Sequence, residues 1–498
     1  MGLALEDLVR GCTFDDFLFA PQFGVVERRD PRRVDVSGRV SQHIVLRRPL
    51  VSANMDTVTR ADMAIVFAEE GGLGIIDRGF RPGHIEEQAR EVERVKRTQH
   101  GILRDPVVIG QTAPLDEAGA LMARRRVGTL VVVDGDRKLA GLLTERDLRF
   151  VDPAVGGRAR VADRMTPRER LVLHEGELSM SEAARIMHDR KVKKLPLVDA
   201  EGRLLGLVTA RDIVRHERLP FATRDAQGRL RVGAAIGATG DYLERAAEQI
   251  RAGADLLVID IAHGHSQIMA RAIAALRARF GDVELVAGNV ATAEGAQFLA
   301  DRGVHGIKVG IGPGGGCTTR INTAFGVPQV QALVECRRAV PDLPLIADGG
   351  IRRDGSLVEA LLFGADCVML GSALAGTAEA PGEIVSKAVL LPDLQKPVNV
   401  PFKVLRGMAS IGAIRDRLDI EDIDPADLQA LGAEGLETSV PARGSVRPVI
   451  HEMVRHLCSA VSYGGAESLG ELKQRFWADA DRYVIKLSAA ARVESYER

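Results

Sequence analysis

Aromatic side chains are scarce in this 498-residue chain, with one tryptophan (Trp477), four tyrosines and 4% aromatic residues in all. Paired cysteines are missing too. Cys12, Cys317, Cys336, Cys367 and Cys458 are odd in number, scattered and free of any CxxC spacing. That excludes a disulfide scaffold and a zinc knuckle, and it fits a reducing compartment. Neither sign of charge dominates: 67 Lys plus Arg against 68 Asp plus Glu leave a net charge of −1. The balance excludes an electrostatic footprint for nucleic acid or an anionic membrane. Long hydrophobic runs are absent. Apolar stretches are strand-sized, as at 255–261, well short of the ~18 residues of a membrane span. The opening Met1-Gly-Leu-Ala-Leu-Glu-Asp lacks the charged-then-apolar pattern of a signal peptide, so the cytoplasm is expected. What the chain does have is glycine, 52 of them, and a 46% hydrophobic fraction that can fill a sizeable core. At about 150 residues per domain the length suggests roughly three domains. The composition is that of a parallel α/β enzyme.

The middle of the chain repeats. Gly141-Leu-Leu-Thr144-Glu-Arg-Asp147 returns as Gly206-Leu-Val-Thr209-Ala-Arg-Asp212. The same offset links Asp134 to Asp199, Glu117 to Glu182, Met122 to Met187 and Val127 to Val192. Each copy reads as helix, strand, short turn, strand, then a helix starting near the Thr. The pattern resembles a tandem pair of CBS domains, spanning 99–160 and 161–220. That resemblance implies a cleft for adenine or guanine nucleotides, with Asp147 and Asp212 at a ribose. On the residues alone, both aspartates equally suit caps of the helices that follow.

Outside 99–220 the rhythm changes to short apolar strands alternating with amphipathic helices. Eight strands are expected, at 50–55, 72–76, 230–236, 256–261, 284–287, 306–309, 344–347 and 367–370. Eight βα units predict an α/β fold, a (β/α)8 TIM barrel, with the repeated module inserted after its second unit. The barrel would then comprise 1–98 and 221–498. Chemistry in such barrels sits at the C-terminal ends of the strands.

After the sixth strand comes Val309-Gly-Ile-Gly312-Pro-Gly314-Gly-Gly-Cys317-Thr-Thr319-Arg320. Five glycines in the seven residues before a cysteine make a loop with little side-chain bulk. A thiol there can reach a substrate, and thiolate is the best side-chain nucleophile near neutral pH. A lone cysteine otherwise serves as a small buried hydrophobe, which is the reading for the other four. The seventh strand ends in Asp348-Gly349-Gly350 and the eighth in Gly371-Ser372. Glycines there suit a phosphate cradle, and Asp348 suits two ribose hydroxyls; Gly349-Gly350 would also simply turn the chain. After the fourth strand, Asp260-Ile-Ala-His263-Gly-His265 offers two histidines with no evident third metal ligand. Together these features describe a barrel that binds a nucleoside monophosphate and attacks its base with a thiol.

Further segments carry a resemblance to the IMP dehydrogenase and GMP reductase family over nearly the whole chain. They include Thr13-Phe-Asp-Asp-Phe-Leu, Ser52-Ala-Asn-Met-Asp-Thr-Val, Gly233-Ala-Ala-Ile-Gly, Gly288-Asn-Val-Ala-Thr and Arg406-Gly-Met. The insert and Met165-Thr-Pro-Arg-Glu-Arg-Leu are most similar to the dehydrogenase branch. The resemblance implies that Cys317 attacks C2 of IMP, that NAD takes the hydride, and that hydrolysis releases XMP. It implies a relay of Thr319 and Glu434. It assigns ribose and phosphate to Asp348, Gly349, Gly350, Gly371 and Ser372, and the base to Gly407, Met408 and Glu434. Asp260, Gly310, Ile311 and Gly312 would face the nicotinamide. Carbonyls of Gly312, Gly314 and Cys317 would hold a potassium ion, with Glu494 and Ser495 arriving from a neighbouring subunit. It further implies a homotetramer, an octamer when ATP or GTP fills the CBS pair, and no nucleic-acid or membrane partner.

Several positions depart from the family pattern. Dehydrogenases use an Arg-Tyr pair on a flap as hydrolytic base; here the flap, 409–444, contains no tyrosine. Asp416-Arg417-Leu418 lacks the partner, and Asp481-Arg482-Tyr483 lies in the C-terminal segment. Gly315 replaces a serine, Leu405 a tyrosine, Ile261-Ala262 a Ser-Ser pair, and Asp77-Arg78 a His-Lys pair. Two alternatives therefore stand beside the dehydrogenase: a GMP reductase using NADPH, which needs no hydrolytic pair, and a catalytically weak purine-nucleotide sensor.

Overall fold

A computed structural model of the chain describes residues 4–81, 83–98, 102–125, 127–149, 159–390, 397–418 and 435–496. The chain divides into two compact units. The larger comprises residues 1–98, 221–225 and 230–498, and the smaller 99–220 with 226–229.

Eight parallel strands close the larger unit into a barrel. In chain order they are β1 (Leu50–Ser52), β2 (Leu73–Ile76), β3 (Gly233–Ile236), β4 (Leu256–Asp260), β5 (Leu285–Val290), β6 (Gly306–Val309), β7 (Leu345–Asp348) and β8 (Cys367–Leu370). All eight expected strands form, and β8 pairs with β1 to complete the ring. The strands are apolar on both faces because each face is covered. Period-two alternation sorts the side chains. Leu256, Val258, Val286 and Ile346 point into the barrel and pack with Val51, Leu73, Ile75 and Met369. Leu257, Ile259, Leu285 and Ile307 point outward, under the helices. Those helices include Tyr242–Ala252, Gln267–Phe280 and Gln329–Ala339. Ser266 and Thr292 cap two helices by accepting from the Met269 and Gly295 amides.

The N-terminal end of the barrel is plugged. A hairpin of Gly38–Ser41 and Ile44–Leu46 sends Val40, Ile44 and Leu46 into the barrel interior. The outside is buttressed by an aromatic cluster. Phe363 packs on Phe17, Phe19 and Phe476 at centroid distances of 5.2, 5.6 and 5.6 Å. The strand Phe17–Phe19 pairs antiparallel with Val484–Lys486, so the two ends of the chain meet here.

The smaller unit shows the repeat as two similar halves. Helix Leu115–Arg125 precedes strands Thr129–Val133 and Leu139–Thr144, as helix Met180–Asp189 precedes strands Lys194–Val198 and Leu204–Thr209. Each pair of strands is antiparallel with the same one-residue register shift. No helix among the described residues is long and apolar enough to cross a membrane.

Phe363→Ala should cost about 3–5 kcal/mol, the range for truncating a buried aromatic. The measurement is the shift in urea midpoint. An unchanged midpoint would show that the cluster does not hold the chain ends to the barrel.

Candidate active site

Continuing the inward rows by two residues gives the polar mouth of the barrel. Val258 is followed by Asp260 on β4, Gly306 by Lys308 on β6, and Ile346 by Asp348 on β7. Between β4 and β6 lies Gly288, in register with both Asp260 and Lys308. A Cβ at Gly288 would stand 2.6 Å from the Lys308 Cβ, so the missing side chain is what lets the lysine cross. Lys308 Nζ lies 3.0 Å from Asp260 Oδ1 and donates to Asp348 Oδ2 at 2.6 Å. Asn54 donates to the other oxygen of Asp260 at 2.5 Å, and Asn289 donates to Asp348 at 2.8 Å. Burial pushes the Asp260 carboxyl up, but Lys308 and Arg78 outweigh it and hold the group below the usual carboxylate range. Burial likewise opposes the charge on Lys308, and the two aspartates outweigh it and raise its pKa. The mouth therefore holds an ionised Asp260 and, across from it, Asp348, both fixed by one ammonium.

Beside this triad the glycine-rich loop carries the thiol. Cys317 Sγ donates to Thr319 Oγ1 at 3.3 Å. Backbone bonds thread the loop to two other segments: the Leu436 amide donates to the Gly316 carbonyl, and the Gly407 amide to the Leu436 carbonyl. Cys317 itself forms an isolated bridge with Gly435. Arg320 braces the loop base by donating to the Ile311 carbonyl at 3.0 Å and to the Val327 carbonyl. The glycines are required here. Gly310 has φ +144°, and a Cβ would stand 2.2 Å from the Asp348 carbonyl; Gly349 has φ +90°, and a Cβ would stand 2.9 Å from the Gly314 amide. So Gly349-Gly350 does turn the chain, and it also admits the cysteine loop.

Cys317 is half-buried, whereas the other four cysteines are buried. Burial pushes Cys336 up to about 12 and Cys458 up to about 11, and raises Cys367 well above the ordinary thiol range. Those thiols stay protonated and inert. Cys12 lies in an irregular stretch after a turn, because the helix Leu5–Val9 ends before it, and it is buried as the reading of a small hydrophobe expects.

One cleft of about 390 Å³ gathers these groups. Its walls include Cys317, Thr319, Asp260, Asp348, Gly349 and Gly350, with Gly371, Ser372, Gly407 and Met408 at its rim and Gly310–Gly314 along one side. Arg406 fixes the rim through two bonds to Asp56 Oδ2, at 2.9 and 2.7 Å, and Met408 Sδ accepts from the Asp56 amide. Arg78 lines the cleft while its neighbour Asp77 is fully buried and bonded to Arg60 at 2.7 Å.

Other expected residues fall elsewhere. Glu434 and residues 419–433 of the flap lie outside the described residues. Glu494 and Ser495 sit on the helix Ala489–Tyr496 and do not line this chain's cleft. Asp147 and Asp212 each accept from the amide and hydroxyl of the Thr three residues earlier, in reciprocal caps. His265 packs on Phe298 at 4.7 Å, and neither it nor His263 joins a group of three ligating side chains among the described residues. Tyr483 is buried and Arg482 bonds Gln22, so that pair belongs to the C-terminal packing. Lys308, Asn54, Asn289 and Arg320 were not singled out by sequence. For Lys308 the available signal was a lysine at an inward position of an otherwise apolar strand.

A barrel with a thiol on a glycine loop and a fixed pair of carboxylates at its C-terminal mouth defines a class: (β/α)8-barrel enzymes with a small-molecule cleft at the strand ends. Comparison with known proteins narrows the class. Residues 11–497 match the IMP dehydrogenase / GMP reductase domain. The chain is 42% identical to the inosine-5'-monophosphate dehydrogenase of Aquifex aeolicus, over 94% of this chain and 93% of that protein. It is 39% identical to that of Nitrosopumilus maritimus, over 97% of each. Among solved structures, a cysteine-to-alanine GMP reductase of Trypanosoma brucei bound to guanosine 5'-monophosphate superposes with TM-score 0.81 at 36% identity. That match covers 97% of this chain and 96% of the other. The chain belongs to the IMP dehydrogenase / GMP reductase family.

Lys308→Met should leave the half-buried Asp260 and Asp348 carboxylates without their shared cation, with Arg78 still offsetting Asp260, at a cost of about 1–3 kcal/mol. The pH dependence follows from the same pairs. Asp260 is held below its ordinary 3.8, so its contribution is present above about pH 4 and lost as pH falls through the depressed value. Lys308 is held above its ordinary 10.5, so its contribution is present below that pH and lost as pH rises through the raised value. Denaturation midpoints of the parent chain should form a plateau across neutral pH and fall at both extremes. Equal midpoints for parent and variant at neutral pH would contradict the role given to Lys308.

Proposed function

We propose that the chain is a nicotinamide-dependent oxidoreductase acting on the purine base of a nucleoside monophosphate, and specifically an IMP dehydrogenase. The observation that carries this reading is the placement of Cys317 and Thr319 in one cleft with Asp260 and Asp348. The Cys317 thiol, whose proton is held by Thr319 Oγ1, adds across C2–N3 of the base: sulfur bonds C2, the C2–N3 π bond opens and the proton goes to N3. Asp348 accepts the ribose hydroxyls, and the glycines 349, 350 and 371 with Ser372 bring backbone amides to the phosphate. Gly407 and Met408 line the place of the hypoxanthine. Loss of hydride from C2 leaves a thioimidate; water then adds at C2, a proton leaves, and the carbon–sulfur bond breaks to give XMP and free thiol. Glu434 completes the proton relay in this reading.

The residues present fit a nicotinamide: Asp260 is an ionised acceptor for a carboxamide, and Gly310 and Gly312 line the cleft with bare backbone. NAD, when bound, supplies the hydride acceptor. The loop also fits a potassium ion, because the carbonyls of Gly312, Gly314 and Cys317 are hard donors on a segment without side-chain bulk, with Glu494 and Ser495 supplied by a neighbouring copy. A homotetramer, ATP or GTP at the CBS-like unit, and a cytoplasmic setting complete the reading.

A second reading, GMP reductase, is favoured by one specific observation. The flap 409–444 contains no tyrosine, so the Arg-Tyr pair that serves hydrolysis in dehydrogenases is missing. General-base help is worth about 10²–10⁴-fold in rate. A reductase reaches the same thioimidate from GMP by losing ammonia, takes hydride from NADPH and releases IMP. It has no water step.

The deciding assay follows reduced nicotinamide in potassium buffer, with IMP plus NAD and separately with GMP plus NADPH, while measuring XMP and ammonia. NADH with stoichiometric XMP is the expected result. NADPH consumption with ammonia release would replace the dehydrogenase reading by the reductase, and silence in both would leave a nucleotide sensor. Cys317→Ala should abolish turnover in whichever reaction is found. Gly315→Ser should lower the KM for nucleotide severalfold, since a Cβ there meets nothing within 4 Å and one added hydrogen bond is worth about 1 kcal/mol. An unchanged KM would show that the phosphate does not lie beside residue 315.

A further inference from the structure

A second cluster of ligating side chains lies at the other end of the barrel, and the chemistry above does not use it. It is built from three segments far apart in sequence. His43 is in the turn of the hairpin that plugs the barrel, Glu284 immediately precedes β5, and His305 immediately precedes β6. One donor atom from each lies within 4.8 Å of the other two. His43 Nδ1 is 2.8 Å from Glu284 Oε2, and His305 Nδ1 is 3.4 Å from the same oxygen. The two imidazoles meet edge to face with centroids 5.2 Å apart. Asp282 adds a second carboxylate, with Oδ1 3.2 Å from His305 Nε2. The Glu284 and His305 side chains are only 13% and 8% exposed, while that of His43 is 64% exposed and opens the cluster to solvent.

We propose that His43, Glu284 and His305 bind a divalent transition-metal ion of the zinc class. Metal–ligand bonds of about 2.0–2.2 Å place neighbouring donors roughly 3–4 Å apart, the scale of the separations here. Two imidazoles and a carboxylate favour zinc, nickel or copper over the oxygen-seeking magnesium and calcium. Water completes the coordination, and Asp282 faces the other ring nitrogen of His305. The role is structural, because these residues stand at the N-terminal end of the strands, whereas Cys317 follows the C-terminal end of β6. A metal there ties the plugging hairpin to β5 and β6, alongside the existing bond from the Gln42 amide to the His305 carbonyl. The alternative is a metal-free network: the Leu285 amide donates to His305 Nδ1 at 3.2 Å and the His43 amide to Glu284 at 3.2 Å.

The test uses the full chain carrying Cys317→Ala, so that the cleft thiol does not compete, after stripping with chelator. Zinc is titrated by calorimetry, cobalt by its visible absorption, and melting temperature is followed with each ion. The expected result is one zinc per chain, a higher melting temperature with zinc, and a cobalt spectrum of low coordination number. His43→Ala, at an exposed position, and Glu284→Gln should each weaken binding by more than about tenfold, since even outer-shell changes cost 10–100-fold. Absence of zinc binding, or binding that survives both substitutions unchanged, would overturn the proposal and leave the hydrogen-bonded network.

Discussion

The cleft depends on one buried ammonium. Lys308 sits between Asp260 on β4 and Asp348 on β7, and the proposed reaction uses both carboxylates. Without the lysine, two acidic groups would face each other with Arg78 left to offset the charge of Asp260. With it, a shared cation stands between them and each keeps an oxygen directed by an asparagine. The same contact joins the wall assigned to the nicotinamide with the wall assigned to the ribose. Hydride transfer between two bound molecules needs those walls at fixed separation. The lysine is itself possible only because Gly288 leaves a gap in the intervening strand.

The second constraint is placement of a flexible loop. Five glycines make 310–316 adaptable, yet the thiol must arrive at one point. A backbone hydrogen bond to 436, which is itself held by 407, and the Arg320 brace settle this without bulk near the sulfur. Gly310 and Gly349 let the loop lie against the end of β7. Mobility and position are thus divided between residue types, with glycine giving close approach and arginine giving register.

The barrel strands were legible because apolar runs punctuated by glycine or aspartate recur along the chain, and each run fits one buried parallel strand. Asp260 and Asp348 were legible because each ends or directly follows such a run, and Cys317 because a glycine-rich loop leads to it from one. Lys308 was not, since its partners lie 48 residues before and 40 residues after it, and only barrel closure brings them together. The histidines show the same limit in reverse. His263 and His265 are adjacent in sequence and gather no third ligand among the described residues, while His43, Glu284 and His305 are scattered and converge. In the repeat, Asp147 and Asp212 show the local role that spacing from threonine implies; the nucleotide role came from family likeness, and capping leaves it to experiment. The flap stayed illegible because its sequence lacks the pair that would have named the reaction.

Both catalytic readings share one event, a bond between Cys317 and C2 of the purine. The most direct measurement is acid quenching of the protein with IMP plus NAD, and separately with GMP alone, followed by peptide mass mapping. The account predicts a purine nucleotide adduct on the peptide carrying Cys317 in at least one of the two, and none in Cys317→Ala. An adduct on another cysteine, or turnover with no adduct at any time after mixing, would contradict it.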